Sequence, residues 1–260
     1  MMLSADGALL ARAEDLAARA ARGELTYTHF LTPRESRVLL RELGHRCQTF
    51  VWGGYPEAER CRVYFLPPYL EGLERDELQE VLTGTLAESL CPLCMRGSGY
   101  RALSHRDFLG AVLHLGIERD RIGDLCALDA HEAILFTDAR MADFLIENLT
   151  RAANDAVRVT RVTLPEHFDG GKRYVPVSDT VASPRADAVV AALTNLSRER
   201  AQALFRQGLV EIDYEPEEKY DRTVEPGDVI VVRGVGKFTV RSLSDKTRKG
   251  RFRLLADKHV

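Results

Sequence analysis

Residues 183–212 read SPRADAVVAALTNLSRERAQALFRQGLVEI, and their punctuation predicts two short helices followed by a strand. Ser183 offers an N-cap with Pro184 at the first helical position, and Ala186, Val189, Val190 and Leu193 recur as one apolar stripe. Ser197 caps a second helix that carries Arg198, Arg200 and Arg206 and turns Ala201, Leu204 and Phe205 inward. Gly208 stands where a left-handed C-cap is wanted. The strand-like LVEI, an acidic loop, the Pro226-Gly227 turn, the strand VIVV and a basic hairpin come next.

Downstream, charge becomes the dominant signal. From Val232 to Lys258 nine basic residues (Arg233, Lys237, Arg241, Lys246, Arg248, Lys249, Arg251, Arg253, Lys258) oppose Asp245 and Asp257, a local charge of +7 in a chain whose net charge is −3. A mildly acidic protein that gathers cations at one end is suited to a polyanion, of which nucleic acid is the commonest. Each phosphate neutralised releases counterions and gains affinity without reading sequence, and the planar guanidinium fork suits that task. The expected RNA-binding residues are therefore Arg185, Arg198, Arg200 and Arg206 on one wall, with Arg233, Lys237, Arg248, Lys249 and Arg251 on the adjoining hairpin.

Upstream, two further blocks are legible. Thr32-Pro33-Arg34-Glu35 combines an N-cap, proline at N1 and glutamate at N3, starting a helix that stops near Gly44. QTFVW and CRVYFL read as short strands around Gly53-Gly54-Tyr55-Pro56 and the charged Glu57, Glu59 and Arg60, a hairpin end or a second contact surface. In the middle block Ser104 and Asp107 start a helix that Gly116 stops, the strands LCAL and AILF follow, and a helix from about Asp138 leads to the strand VRVTRV. Adding strands at Cys61–Leu66 and around Val81–Ala87 gives a small α+β sandwich of ferredoxin-like or RRM-like type. The expected fold class is α+β, with a helical region at 1–60 carrying a short hairpin, an RRM-like domain at 61–176, a linker around Val177–Val181 and an RNA-binding module at 181–260. The RNP1 pattern of glycines and aromatics is absent, which withholds support from the middle sheet as a base-stacking platform.

No apolar run approaches the roughly 18 residues that cross a bilayer. Charges at Asp6, Arg12, Glu14 and Asp15 make the opening segment an amphipathic helix rather than a signal peptide. A cytoplasmic protein with free thiols is expected, since Cys47, Cys61, Cys91, Cys94 and Cys126 are an odd, scattered set. No metal or cofactor is expected: Cys91-Pro92-Leu93-Cys94 lacks a second pair, and His29, His45, His114, His131 and His167 show no ligand spacing. His105-Arg106-Asp107 resembles a kinase catalytic loop but has Val112 where asparagine is needed, and in Gly234-Val235-Gly236-Lys237 the P-loop hydroxyl is replaced by Phe238. No catalytic residue is assigned.

The segment SPRADAVVAALTNLSRERAQALFRQGLVEI with VEPGDVIVVRG resembles the S4 RNA-binding domain, through Arg185 and Asp187, Ser197-Arg198, and Gly208 with Val210; Asp213 stands where that family often has asparagine. The stretches FLTPRE, GGYPEAER, SHRDFLGAVLHLGIERDRIGDL, ADFLIENL, RGVGKF and SDKTRKGR resemble, in order, the bacterial YlmH family. Residues 88–100 do not follow that pattern and read as an insertion. The resemblance implies structured RNA as partner, ribosomal RNA and tRNA on the large ribosomal subunit, a role in rescue or quality control of stalled translation, and a link to cell division. A non-enzymatic binding protein, monomeric when free, is the leading expectation; an RNA-modifying enzyme of the pseudouridine synthase type and a division scaffold are the rivals.

Overall fold

The computed structural model describes residues 5–246 and 250–260. It divides into two compact units at Gly171 and Lys172.

The first unit opens with α1 (Ala5–Ala20), β1 (Thr26–Tyr27), α2 (Pro33–Leu43), β2 (Thr49–Trp52) and β3 (Arg62–Phe65). Thr32 and Glu35 cap α2 reciprocally as expected. The three strands pair antiparallel in the order β1-β3-β2. Cys61–Leu66 thus belongs to this N-terminal sheet and not to the middle one. Next come α3 (Arg75–Val81) and α4 (Thr83–Ser89), where a strand was expected around Val81–Ala87. Leu78, Leu82, Leu86 and Leu90 recur every fourth residue, a helical period, and all four pack into one core.

The middle sheet is built from β4 (Cys91–Gly97), α5 (His105–His114), β5 (Ile122–Ala127), β6 (Glu132–Thr137), α6 (Ala139–Asn148), β7 (Arg151–Ala152) and β8 (Asp155–Arg161). The order is β5-β6-β4-β8-β7, so β4, β5, β6 and β8 with the two helices form a βαββαβ ferredoxin-like layer. Residues 88–100, read above as an insertion, hold its central strand. Cys91 and Cys94 lie on opposite faces, one in the core under α5 and α6 and the other in the core shared with the N-terminal sheet. Three residues apart on a strand, they cannot share a metal or a disulfide.

The second unit contains β9 (Tyr174–Val181), α7 (Ala186–Thr194), α8 (Arg198–Arg206), β10 (Val210–Ile212), β11 (Glu215–Pro216), β12 (Val229–Val232), β13 (Gly236–Lys246) and β14 (Phe252–His259). Its sheet runs β11-β10-β12-β13-β14-β9. Val177–Val181, expected as a linker, is part of edge strand β9, which pairs with β14 along its length. An edge position tolerates Pro176, whose missing N–H would interrupt a central strand. α7 begins at Ala186 with Arg185 as N-cap, later than Ser183 and Pro184 suggested. The reason is local: the Ala186 and Asp187 N–H groups donate to the Arg222 and Tyr220 carbonyls, holding the preceding residues extended. Gly208 is left-handed at φ +65, as expected. α7 and α8 cover one face of the sheet, burying Val189, Val190 and Phe205 against Val210, Ile230, Phe238 and Leu254. At roughly 1.5–3 kcal/mol for each large apolar side chain fully buried, this core dominates the unit's stability.

Candidate nucleic-acid interface

In the C-terminal sheet the residues that alternate with this core face away from α7 and α8. Glu211, Val231 and Lys237 form one cross-strand row, and Thr239 and Asp257 stand opposite each other in another. Arg241 and Arg253 are exposed on strands whose Val240, Leu254 and Ala256 are buried. Period-two alternation beside Leu254 and Ala256 carried the signal for these two arginines, which the expected site omits. Arg233, at the end of β12, donates to Glu211 at 2.8 Å. Lys237 sits 5.0 Å above the Tyr214 ring. Arg251 donates to Thr180 Oγ1 at 3.0 Å. Arg241 pairs with Asp257 at 2.6 Å and lies 5.8 Å from the Tyr174 ring, which in turn meets His259 edge-on. Arg248 and Lys249 lie outside the described residues.

On the helical side the expected arginines have different roles. Asp187 is fully buried and accepts from Arg198 Nε and Nη2 at 3.0 Å each, from Gln202 at 2.7 Å and from Arg185 at 3.3 Å. Burial opposes its ionisation, but the hydrogen bonds from Arg198, Gln202 and Arg185 outweigh that and hold its carboxyl down at about 2. Arg198 and Arg185 are therefore brought together as a clamp joining the starts of α7 and α8, while remaining 47% and 38% exposed. Arg200 and Arg206 are exposed elsewhere on α8, and the structure does not bring them to that clamp. Asp213 and Tyr214 take positive φ values of 57 and 66 in the β10–β11 hairpin. Aspartate tolerates that conformation as asparagine does, and Asp213 also accepts from Val229 N and Arg222, each at 3.1 Å.

The face of the middle sheet away from α5 and α6 is closed. Cys94, Cys126, Ile134 and Phe136 pack there with Phe30, Tyr55 and Tyr64 of the N-terminal region. The stretch GGYPEAER forms the seal. At Gly54, φ +106, a Cβ would fall 2.3 Å from the Phe136 ring, so only glycine fits. Tyr55 stacks on Phe136 at 5.4 Å and donates its hydroxyl to Asp124 at 2.7 Å. The same carboxylate accepts from the Glu59 and Arg60 N–H groups at 2.8 and 2.9 Å, and Arg60 donates to carbonyls of Ile122, Phe30 and Arg119. This charged loop is a structural clasp, the hairpin-end reading of the two weighed above. Burial raises the Cys94 thiol to about 11, an inert state at neutral pH.

Among the described residues no helix is long and apolar enough to cross a membrane, and no cluster of potential metal ligands occurs.

Comparison with known proteins extends this picture. The family model for the YlmH N-terminal region matches residues 7–70, and the model described as "Putative RNA-binding domain in YlmH" matches residues 97–166. A Bacillus subtilis (strain 168) protein named ribosome-associated protein quality control protein P2 is 29% identical over 228 residues, covering 87% of this chain and 84% of that protein. A solved structure named cell division protein ylmH from Streptococcus pneumoniae aligns with a TM-score of 0.49 at 16% identity, over 63% of this chain and 94% of that one. With two models of one family matched in chain order across the N-terminal and middle regions, the chain belongs to the YlmH family.

Proposed function

We propose that this chain is a non-enzymatic, cytoplasmic RNA-binding protein that grips structured RNA, ribosomal RNA or tRNA on the large ribosomal subunit, through an S4-type unit at residues 172–260. The observation that carries the reading is the sheet face bearing Arg233, Lys237, Arg241 and Arg253, which among the described residues no helix of its own unit covers, with Arg200 and Arg206 exposed on α8 at the other side of the sheet. Backbone phosphates need cations spaced on a rigid surface, and a sheet pinned by a buried core supplies one. Tyr174, Tyr214 and His259 place rings among those cations, which suits contact with splayed bases. The family's RNA-binding description, which belongs to residues 97–166, supports RNA as a partner of the chain without assigning it to residues 172–260, and the name of the B. subtilis relative supports ribosome-associated quality control as the setting.

Arg198 is a poor test residue, because its reversal would set a second carboxylate against buried Asp187. Arg200→Glu with Arg206→Glu leaves the clamp intact. Wild-type chain is expected to co-sediment with large subunits and to be released steeply by salt; the double variant is expected to lose about two units of the salt slope. Unchanged sedimentation would remove α8 from the assigned surface, and unchanged sedimentation of a chain carrying Arg241→Gln and Arg253→Gln would remove the sheet face. Modified nucleosides in RNA recovered after incubation would overturn the non-enzymatic reading.

A further inference from the structure

Arg62, the first residue of β3, is 3% exposed and only partly satisfied. Its Nη1 donates to the Thr28 carbonyl at 3.0 Å, whereas Nε and Nη2 make no hydrogen bond and are shut off from solvent. The guanidinium lies 4.3 Å from the Phe30 ring centroid and 5.2 Å from that of Tyr27, and Nη2 stands 3.5 Å from Asp138 Oδ2. That carboxylate is already engaged: Oδ1 caps α6 through Met141 N at 2.9 Å, and Oδ2 accepts from Arg121 at 3.1 Å. A buried guanidinium lacking acceptors is costly, so this corner of the fold has too few oxygens for its donors.

Arg62 lines a cavity of about 560 Å³ with Arg121, Arg140, His29, Asp138 and Glu88. Ala139 and Arg140, also in its wall, are the first residues of α6, whose N–H groups lie beyond the intrahelical ladder. Three guanidinium groups and a helix N-terminus therefore face two carboxylates. A planar carboxylate fills one guanidinium fork, whereas a tetrahedral phosphate presents oxygens in several directions and can meet Arg121, Arg140 and the helix end together. The volume falls within the range of small-ligand sites.

We infer that this cavity is a phosphate-binding site, with Arg121 and Arg140 as the direct grip, Arg62 as the buried positive back wall and the α6 N-terminus as the backbone donor. It lies within residues 1–171 and is independent of the cationic face proposed for RNA. The phosphate is either free or part of an RNA strand, and both present the same chemistry.

The test uses the full chain carrying Arg200→Glu, Arg206→Glu, Arg233→Gln, Lys237→Gln, Arg241→Gln and Arg253→Gln, so that the cations of the RNA face proposed above do not contribute. Calorimetric titration with inorganic phosphate at low ionic strength is expected to show one saturable site that Arg140→Ala weakens about tenfold, and Arg121→Gln similarly. Arg62→Met, which keeps length and removes the charge behind the site, is expected to weaken binding by less than either grip variant; should it fail to fold, the other two variants carry the test. A short single-stranded RNA that displaces the phosphate identifies RNA as the source, and failure to displace identifies free phosphate. Absence of saturable binding at millimolar phosphate, or binding indifferent to Arg140→Ala and Arg121→Gln, would overturn the inference.

Discussion

In the middle sheet, Phe136 and Cys94 on the face away from α5 and α6 are buried under Tyr55 and its neighbours; in the C-terminal sheet, Arg241 and Arg253 on the face away from α7 and α8 are exposed. Both sheets are antiparallel layers with helices on one side, and they part company in what occupies the other. The ferredoxin-like topology alone would suggest an RNA platform on the middle sheet. Its occupancy by Gly54, Tyr55 and Phe168 argues that architecture is no guide to function until both faces have been inspected. An open face, cationic and pinned by its own core, is where a polyanion can be met.

The contrast can be broken most forcefully from the sealed side. Phe136→Ala removes a ring with no exposed surface and is expected to cost about 3–5 kcal/mol, read as a lowered thermal midpoint of the first unit, with RNA affinity of surviving folded protein unchanged. Next in size, Asp187→Ala leaves Arg185, Arg198 and Gln202 without their shared acceptor, and a loss of about 2–3 kcal/mol is expected in denaturant unfolding followed by a probe in the second unit. Acid should find the same clamp. Because the folded-state carboxyl is depressed, its contribution is present above the unfolded value and is lost as pH falls from about 4 through about 2, some 2 kcal/mol in all. An acid titration in which Asp187→Asn flattens this window checks the sign. The smallest effect is at the surface: Arg241→Gln should weaken RNA binding about threefold to tenfold and lower the salt slope by about one, with the unfolding midpoint nearly constant because exposed pairs contribute little.

Much of this contrast was legible in the residues. The capping boxes at Thr32 and Ser104, the stripe on α7, the Ser197 cap and the left-handed Gly208 all follow from local chemistry, and each is found. Misread elements depended on distant partners. β4 is central and buried on both faces, so it shows neither alternation nor turn signals, and a run such as CPLCM reads as irregular until β6 and β8 flank it. β9 carries a proline and polar residues, so only its pairing with β14 makes it a strand. The role of GGYPEAER required Phe136, some eighty residues away in sequence, to be placed against Gly54. For the candidate site, cation density was plain, but the sequence could not separate Arg198, committed to Asp187, from Arg200 and Arg206, which are exposed without that tie. That distinction arises from α7 bringing a buried carboxylate beside α8.

Photo-cross-linking of the full chain bound to large ribosomal subunits, mapped residue by residue, is the most direct test of the central claim. The expected result is RNA adducts on the C-terminal unit, at or beside Tyr174, Arg200, Arg206, Tyr214, Lys237, Arg241 and Arg253, with none at Cys94, Ile134 or Phe136. Adducts on that inner face of the middle sheet, with the C-terminal face unmodified, would contradict it.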